Sequence, residues 1–508
     1  MELLDQYLLD AAQKFPEKKA IICDEHVISY IELINRISTF SEKLRDSGFD
    51  LGKRAVILVH DKVDYLTACF ATMQAGGIAV PLTETTTTHF IQKVMKDCDP
   101  LLFITSKKET LEDSLSNIDH NCTIMYVDDT TMPLFQSKRY TVPLLADNQR
   151  GALILHTHGT NGEQKSVLMS HRNLIHAALS ANTISGIDSS IREFVTPQLT
   201  QSFGFGRCLS ILINGGTIVV TNQTITSLTI TETIFKHRCN ALSIAPSMFS
   251  TIMNSSKSPL KNISSQLQVI DLGSKEISVQ RKRDFLRMFP KARIFTHYGL
   301  TEASYCTSLE LRSEEKKIQT VGRASPSVEI GVIDDHGNLL RHNMTGEITV
   351  RGENVMSRYW HDSELTQQSF TEGKWLKTGD CGFLDDDGYL HVLGRKAEMI
   401  NLGDTMFSPL EVEEKIREIF PDYEFCVIGV PDPSGVRKEI PVLCYIPHEG
   451  KTINASELSQ ALSNKVDTNK IPRIVYRIDH LSISDHQSLR QEIRKHLLVS
   501  FAQTVNLL

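Results

Sequence analysis

A chain of 508 residues, 41 % of them hydrophobic, is too long for one core and divides into two to four domains, which excludes a single small binding module. Its 54 Lys and Arg against 61 Asp and Glu give a formal net charge of -7, and no basic run exceeds a few residues, so nucleic acid is a poor partner. The ten cysteines are scattered without a CxxC pair, which points to a reducing cytoplasm and no structural zinc, and no apolar run approaches the roughly 20 residues of a membrane span.

The opening MELLDQYLLDAAQKFPEKK carries acids inside its apolar stretch and lacks a basic flank, which predicts an amphipathic helix rather than a signal peptide. From Ile28 a helical period (Tyr30, Leu33, Ile37, Leu44) passes through SGFDLGKR into AVILV, predicting helix, turn and buried strand. The unit recurs over Tyr65–Val80 and Phe90–Ile104, ending in GGIAV and LLFI, so a parallel sheet with covering helices is expected. A second α/β region follows the strand GALILHT at Gly151 and runs past VIDLGS at Val269 to Thr296. Past Val321, short strands and Gly turns (VEIGVIDDHGN, GEITVRG, DDDGYLHVLG) predict an antiparallel barrel or sheet. The mixed remainder after Gly394 has the size of a small separate domain, with a linker at Gly394–Glu398.

Chemistry concentrates first in LILHTHGTNGEQKSVLMSHRNL at Leu153–Leu174, a strand running into a loop of Gly, Thr, Asn and Ser with one Lys. Such a loop offers N–H groups and hydroxyls to phosphate oxygens, and Lys165 adds a cation. A Walker A loop needs Gly where Gln164 stands and a helix directly after Lys-Ser, whereas VLMS reads as strand. That leaves a P-loop NTPase as a remote alternative, and for the loop alone an ordinary polar turn stays open. Downstream come THYGLTEAS at Thr296–Ser304, GEITVRGENVMSRYW at Gly346–Trp360 and WLKTGDCGFLDDDGYLHVLGR at Trp375–Arg395.

In this order and spacing the motifs resemble those of the adenylate-forming superfamily: acyl-CoA and aryl-CoA synthetases, luciferases and the adenylation domains of peptide synthetases. The resemblance spans essentially the whole chain. Against the usual YTSGTTGxPKGV it retains Thr157, Gly159, Thr160, Gly162 and Lys165 and departs at His158, Asn161, Gln164 and Ser166. It implies a mixed α/β fold: a large N-terminal domain over 1–394 with two α/β sheets and a β-barrel-like subdomain, and a small, mobile α+β C-terminal domain over 395–508.

The same resemblance implies site residues. Thr157, His158, Gly159, Thr160, Asn161 and Gly162 would cradle the phosphates of ATP with Lys165. Tyr298 would stack on adenine, with Thr301 beside it and Glu302 holding Mg2+ on the nucleotide phosphates. Asp380 would accept both ribose hydroxyls, as a carboxylate can, and Arg395 would reach ribose or phosphate. Gly273 and Ser274 would line the nucleotide pocket, though a simple strand-to-helix turn explains them nearly as well. The acids of DDDG at Asp385–Gly388 read as a solvated hairpin turn.

The implied activity is that of an AMP-forming acid–thiol ligase. A carboxylic acid is activated to acyl-AMP with loss of pyrophosphate, and the acyl group then passes to CoA or to the pantetheine of an acyl or peptidyl carrier protein. The superfamily supplies a Lys near its C-terminus, and ISDHQSLRQEIRKHL at Ile483–Leu497 puts Gln487 there. Losing such a donor costs on the order of 100- to 1000-fold in rate, for which Lys470, Arg490 and Lys495 are surface candidates to substitute. Ala397 stands at the hinge. Gln201, Ser202, Phe203 and Gly204 fall at the acyl pocket, and Ser202 replaces the Asp that binds an amino acid's ammonium, which disfavours α-amino acids. The departures at His158, Gln164, Ala397 and Gln487 motivate an alternative of another class: a non-catalytic relative that binds nucleotide or acyl-adenylate as an interaction or regulatory protein.

Overall fold

The computed structural model describes residues 3–106, 122–127, 147–157, 164–245, 248, 263–273, 277–403, 406–421, 423–432, 434–447, 452–478, 490, 493, 494 and 497. The helix Leu4–Lys14 buries the stripe Leu4, Leu8 and Ala11, the helical spacing read from its sequence. Helix Tyr30–Asp46 starts at a reciprocal capping box of Ser29 with Glu32, which satisfies two otherwise orphan N–H groups. It buries Tyr30, Leu33, Ile37 and Leu44.

A seven-stranded sheet has the order Arg358–Tyr359, Lys165–Ser170, Gly151–Thr157, Ile78–Pro81, Arg54–Ile57, Leu102–Thr105, Thr123–Tyr126. Its last five strands run parallel and the first two antiparallel. A nine-stranded sheet follows the order Arg323–Ala324, Ala303–Glu310, Arg293–Leu300, Val269–Leu272, Ala241–Ile244, Arg192–Val195, Thr217–Val220, Lys19–Cys23, His26–Ser29. The two α/β regions are therefore not consecutive in the chain. The second sheet reaches back for the N-terminal strands, with Ile21 opposite Ile218 and Cys23 opposite Val220 in parallel register.

Helix Lys62–Gln74 is buried on nearly every face, as a helix between two layers must be. It and helix His171–Ser185 touch strands of both sheets. The VLMS segment is strand, and Ser170 caps the helix that follows it. The antiparallel region predicted beyond Val321 is a four-stranded sheet, Val328–Ile333, Gly346–Gly352, Leu376–Leu384, Leu390–Arg395. Its DDDG segment closes a turn in which Gly388 takes φ +78°, and Asp385 pairs with Lys317 at 2.8 Å rather than facing solvent alone.

Beyond it lies the small C-terminal domain: helix Pro409–Ile419, opened by the Ser408 cap with Pro at the first turn, and a three-stranded sheet of Glu424–Pro431, Glu439–Ile446 and Ile474–Arg477. It has its own apolar core of Ile400, Val412, Ile416, Val427, Leu443 and Leu458, apart from the core that joins the two large sheets.

Candidate functional site

Asp380 sits where the nine-stranded and four-stranded sheets meet. It lies opposite Arg395 across the antiparallel pair Leu376–Leu384 and Leu390–Arg395, and its two oxygens take different partners. Tyr298 Oη, at the end of strand Arg293–Leu300, donates to Oδ2 at 2.7 Å, and Arg395 Nε stands 3.2 Å from Oδ1. Arg395 also donates to the Thr378 carbonyl at 3.2 Å, so its guanidinium is held from two sides. Burial pushes the Asp380 carboxyl above its usual range, with Arg395 and Tyr298 only partly offsetting this. Each carboxylate oxygen keeps a lone pair free for a further donor.

Four residues beyond Tyr298, the tight turn between strands Arg293–Leu300 and Ala303–Glu310 presents Glu302. Its carbonyl accepts from Met356 N at 2.7 Å, and its Oε1 accepts from Tyr359 Oη at 2.7 Å. Tyr359 lies on the two-residue strand paired with Val167, and Lys165 Nζ stands 5.3 Å from its ring centroid. Thr157 is the register partner of Lys165. Glu302, Tyr359, Lys165 and Thr157 thus converge at the mouth of the Gly-rich loop, while Tyr298, Asp380 and Arg395 form a second group linked to them through the Tyr298–Glu302 turn. The resemblance gave no role to Tyr359. Its alignment with the strand after the loop is visible only once the sheet is formed.

Several predicted positions lie outside the described residues: His158, Gly159, Thr160, Asn161, Gly162, Ser274, Gln487 and Lys495. Gly273 is placed at the end of strand Val269–Leu272, where a Cβ would land on Cε1 and Nε2 of His297. Gly273→Ala must displace that imidazole, and we expect it to cost about 1–3 kcal/mol of stability; a urea midpoint equal to that of the parent protein would refute this contact.

Of the acyl-pocket candidates, Ser202 lines a cavity between the sheets together with Leu153, Leu155, Gly206, Thr301 and Ser304. The others stand elsewhere. Gln201 is exposed and bonds Gln198. Phe203 packs on Tyr305 and Ala181 and stands edge-on to His297 at 4.8 Å. Gly204 is pressed against the Gln198 carbonyl.

Ala397 is exposed in a single turn, Lys396–Glu398, and its carbonyl accepts from Arg494 at 3.0 Å. Lys470 pairs with Glu411 at 2.9 Å. Arg490 is not a surface residue: it is buried on Glu413 at 2.6 Å.

Behind Phe203 lies a charge network that the motifs did not announce. The fully buried Arg207 guanidinium engages both oxygens of Glu193 and stands 3.2 Å from Asp271. Asp271 also accepts from Tyr305 Oη at 2.7 Å and meets His297 Nδ1 at 3.0 Å. The signal was present as charges inside apolar runs, EFV, VIDL and RCLSILI, a pattern that buried pairs leave.

Glu302 meets the requirement of a Mg2+ ion carried on nucleotide phosphates, which takes one or two protein carboxylates and fills its other positions with phosphate and water. Only one Glu302 oxygen is engaged by Tyr359.

The AMP-binding enzyme family matches residues 8–360. The indoleacetate–CoA ligase of Aromatoleum aromaticum is 26 % identical over 479 residues, 92 % of each chain, and the 2-succinylbenzoate–CoA ligase of Bacillus subtilis is 25 % identical over 94 % of each. Among solved structures, the fold is similar to o-succinylbenzoate CoA synthetase of Bacillus subtilis in complex with its acyl-adenylate intermediate (TM-score 0.82, 24 % identity, 97 % of both chains). ATP-bound MatB of Rhodopseudomonas palustris is equally similar (TM-score 0.85, 23 % identity, 98 % of this chain and 99 % of that one).

Proposed function

Because this chain belongs to the AMP-binding enzyme family, we propose that it activates a carboxylic acid as an acyl-AMP at the Tyr298–Asp380–Arg395 and Lys165–Glu302 groups, and then forms a thioester. The observation that carries the reading is the Asp380 carboxylate, buried between Tyr298 and Arg395 one turn from Glu302. An ionisable acid is costly to bury unless it serves a ligand or a pair.

In the first step a substrate carboxylate oxygen forms a bond to the α-phosphorus of ATP while the bond to the β-phosphate bridge breaks, releasing pyrophosphate. Asp380 accepts the ribose hydroxyls, Arg395 holds the Asp380 carboxylate in place, and the Tyr298 ring carries the adenine. Lys165, at the start of the strand after the loop, offsets charge gathering on the phosphates. Glu302 would hold the Mg2+, whose chemistry is to neutralise that charge and keep the phosphates in line. Tyr359 fixes the Glu302 carboxylate. In the second step a thiolate displaces AMP from the acyl carbon. CoA is the acceptor favoured by the ligases that match this chain along more than nine-tenths of their length. We divide the protein at Gly394, with residues 1–394 as the nucleotide-binding body and 395–508 as the domain that moves between the two steps, turning at Ala397.

Acid-dependent ATP–pyrophosphate exchange over a panel of fatty, aryl and amino acids tests the proposal. Exchange with at least one acid is expected, and Lys165→Ala should lower it on the order of 100- to 1000-fold. ATP binding without exchange for any acid would replace the enzyme with the nucleotide-binding regulatory relative.

A further inference from the structure

In the sheet of the small domain, strand Glu424–Pro431 pairs with Glu439–Ile446 in one unbroken antiparallel register. Cys426 stands directly opposite Cys444, and both are free, buried thiols. Residues opposed in this way point to one face of the sheet, with Cα atoms about 4.5 or 5.5 Å apart, inside the range of roughly 4.4–6.8 Å that a disulfide bridges. The two thiols meet: contact with Cys426, and then burial, pushes the Cys444 thiol far above its usual range. Among the described residues no other two cysteines are register partners.

The face they share is closed by the C-terminal end of the described chain. Cys426 and Cys444 form one apolar cluster with Ile428, Val442, Ile493 and Leu497, whereas Val427 and Leu443 point to the opposite face and pack with Val412 and Leu458. Ile493 and Leu497 are helical and four residues apart, so they lie on one side of their segment. Arg490 and Arg494, also helical, fasten the same segment to the rest of the domain. Arg494 donates to the Ala397 carbonyl at 3.0 Å and to Glu439, and Arg490 donates to Glu413 at 2.6 Å. A buried, protonated thiol is a poor nucleophile, so the pair is unreactive while this segment is seated.

We infer that Cys426 and Cys444 are a redox modification site, closing a reversible cross-strand disulfide by exchange with a small disulfide such as oxidised glutathione when the segment bearing Ile493 and Leu497 lifts. One protein thiolate attacks a sulfur of the small disulfide, forming a mixed disulfide and releasing one small thiol, which takes up the proton. The second protein thiolate attacks the protein sulfur of that mixed disulfide, forms the Cys426–Cys444 bond and releases the second small thiol. Two protein thiols are thereby oxidised and one small disulfide is reduced to two thiols. Opposed Cβ atoms stand about 4.5–5.5 Å apart, against roughly 3.5–4.5 Å in a disulfide. The strands must therefore draw in slightly, and bonds closed against such resistance are the readily reduced ones. The closed bond ties together the two strands on which this segment is seated, and through Arg494 the segment holds the Ala397 turn.

The test incubates the reduced, full-length protein with oxidised glutathione, quenches by alkylation in denaturant and maps the peptides by mass. A peptide pair joined through Cys426 and Cys444 and separated by dithiothreitol is expected. Cys426→Ser should instead accumulate a glutathione adduct on Cys444, because no second thiol resolves it. Arg494→Met removes the bonds to Ala397 and Glu439 and should speed closure at least ~10-fold, the size that charged hydrogen bonds command, with Arg494→Lys between. Thermal melts separate lifting of the segment from unfolding of the domain, and if Arg494→Met melts early, Arg494→Lys carries the comparison. No linked pair in the parent protein, a link that forms only in urea, or closure no faster in the arginine variants overturns the inference.

Discussion

Arg207→Met is expected to lower the free energy of unfolding by about 3–5 kcal/mol, the cost of stranding a buried charge whose partner is removed. Arg207 is completely buried, and Glu193 and Asp271, on the two strands that flank Ala241–Ile244, share its guanidinium. Burial alone would push the Asp271 carboxyl up, yet His297 and Arg207 outweigh it and hold the group at about 2. An acid depressed in the folded state contributes stability above its unfolded pKa and loses it only as pH falls toward the folded value. In the parent protein this contribution is therefore complete at neutral pH and lost between about pH 4 and pH 2. Methionine removes a cation that holds the Asp271 carboxyl down, so the variant should be relatively more stable at pH 5 than at pH 8. Urea unfolding at the two pH values measures both effects. A midpoint unchanged from the parent would mean that the network does not hold the sheet, and Glu193→Gln combined with Arg207→Met should recover part of the loss by removing one stranded charge.

Asp380→Asn is expected to act in the opposite way on stability while damaging binding. The carboxyl is raised by burial, and Arg395 and Tyr298 do not fully compensate. A raised acid binds its proton more tightly when folded, so stability is lost as pH rises from the unfolded pKa, and the loss is complete above the folded one. Asparagine relieves that cost, and its amide oxygen still accepts from Tyr298. The melting temperature at pH 7.5 should hold or rise, while ATP affinity falls by about 10- to 100-fold through loss of a charged acceptor for the ribose. Calorimetric titration beside a thermal melt decides the matter; parallel loss of stability and affinity would make Asp380 a fold residue.

Much of this arrangement could be read in advance because short-range periodicity reports which face of an element is apolar. The stripe of helix Tyr30–Asp46 and the strand after the Gly-rich loop are placed as expected. Periodicity does not say which sheet a strand joins. Lys19–Cys23 looks like the start of the first α/β region, yet it pairs with Thr217–Val220.

The site shows the same division. Tyr298, Glu302, Asp380 and Arg395 stand within motifs and come together, whereas Tyr359 gains its place only through pairing with Val167. Phe203 and Gly206 are three residues apart in one run of alternating Phe and Gly, and only the helical turn separates the residue that packs on Tyr305 from the one that faces the cavity. Arg490, read as a surface residue, is drawn inward by Glu413.

The parallel pairing of Lys19–Cys23 with Thr217–Val220 also sets a timetable for synthesis. The second sheet cannot close on its N-terminal strand until residue 220 has left the ribosome. At about 5–20 residues per second, that strand waits roughly 10–40 s while the intervening chain is made. Throughout that interval Ala20, Ile21 and Ile22, all buried in the finished protein, have only the hairpin partner His26–Ser29, and a nascent chain in this state presents an open apolar edge of the kind that chaperones bind.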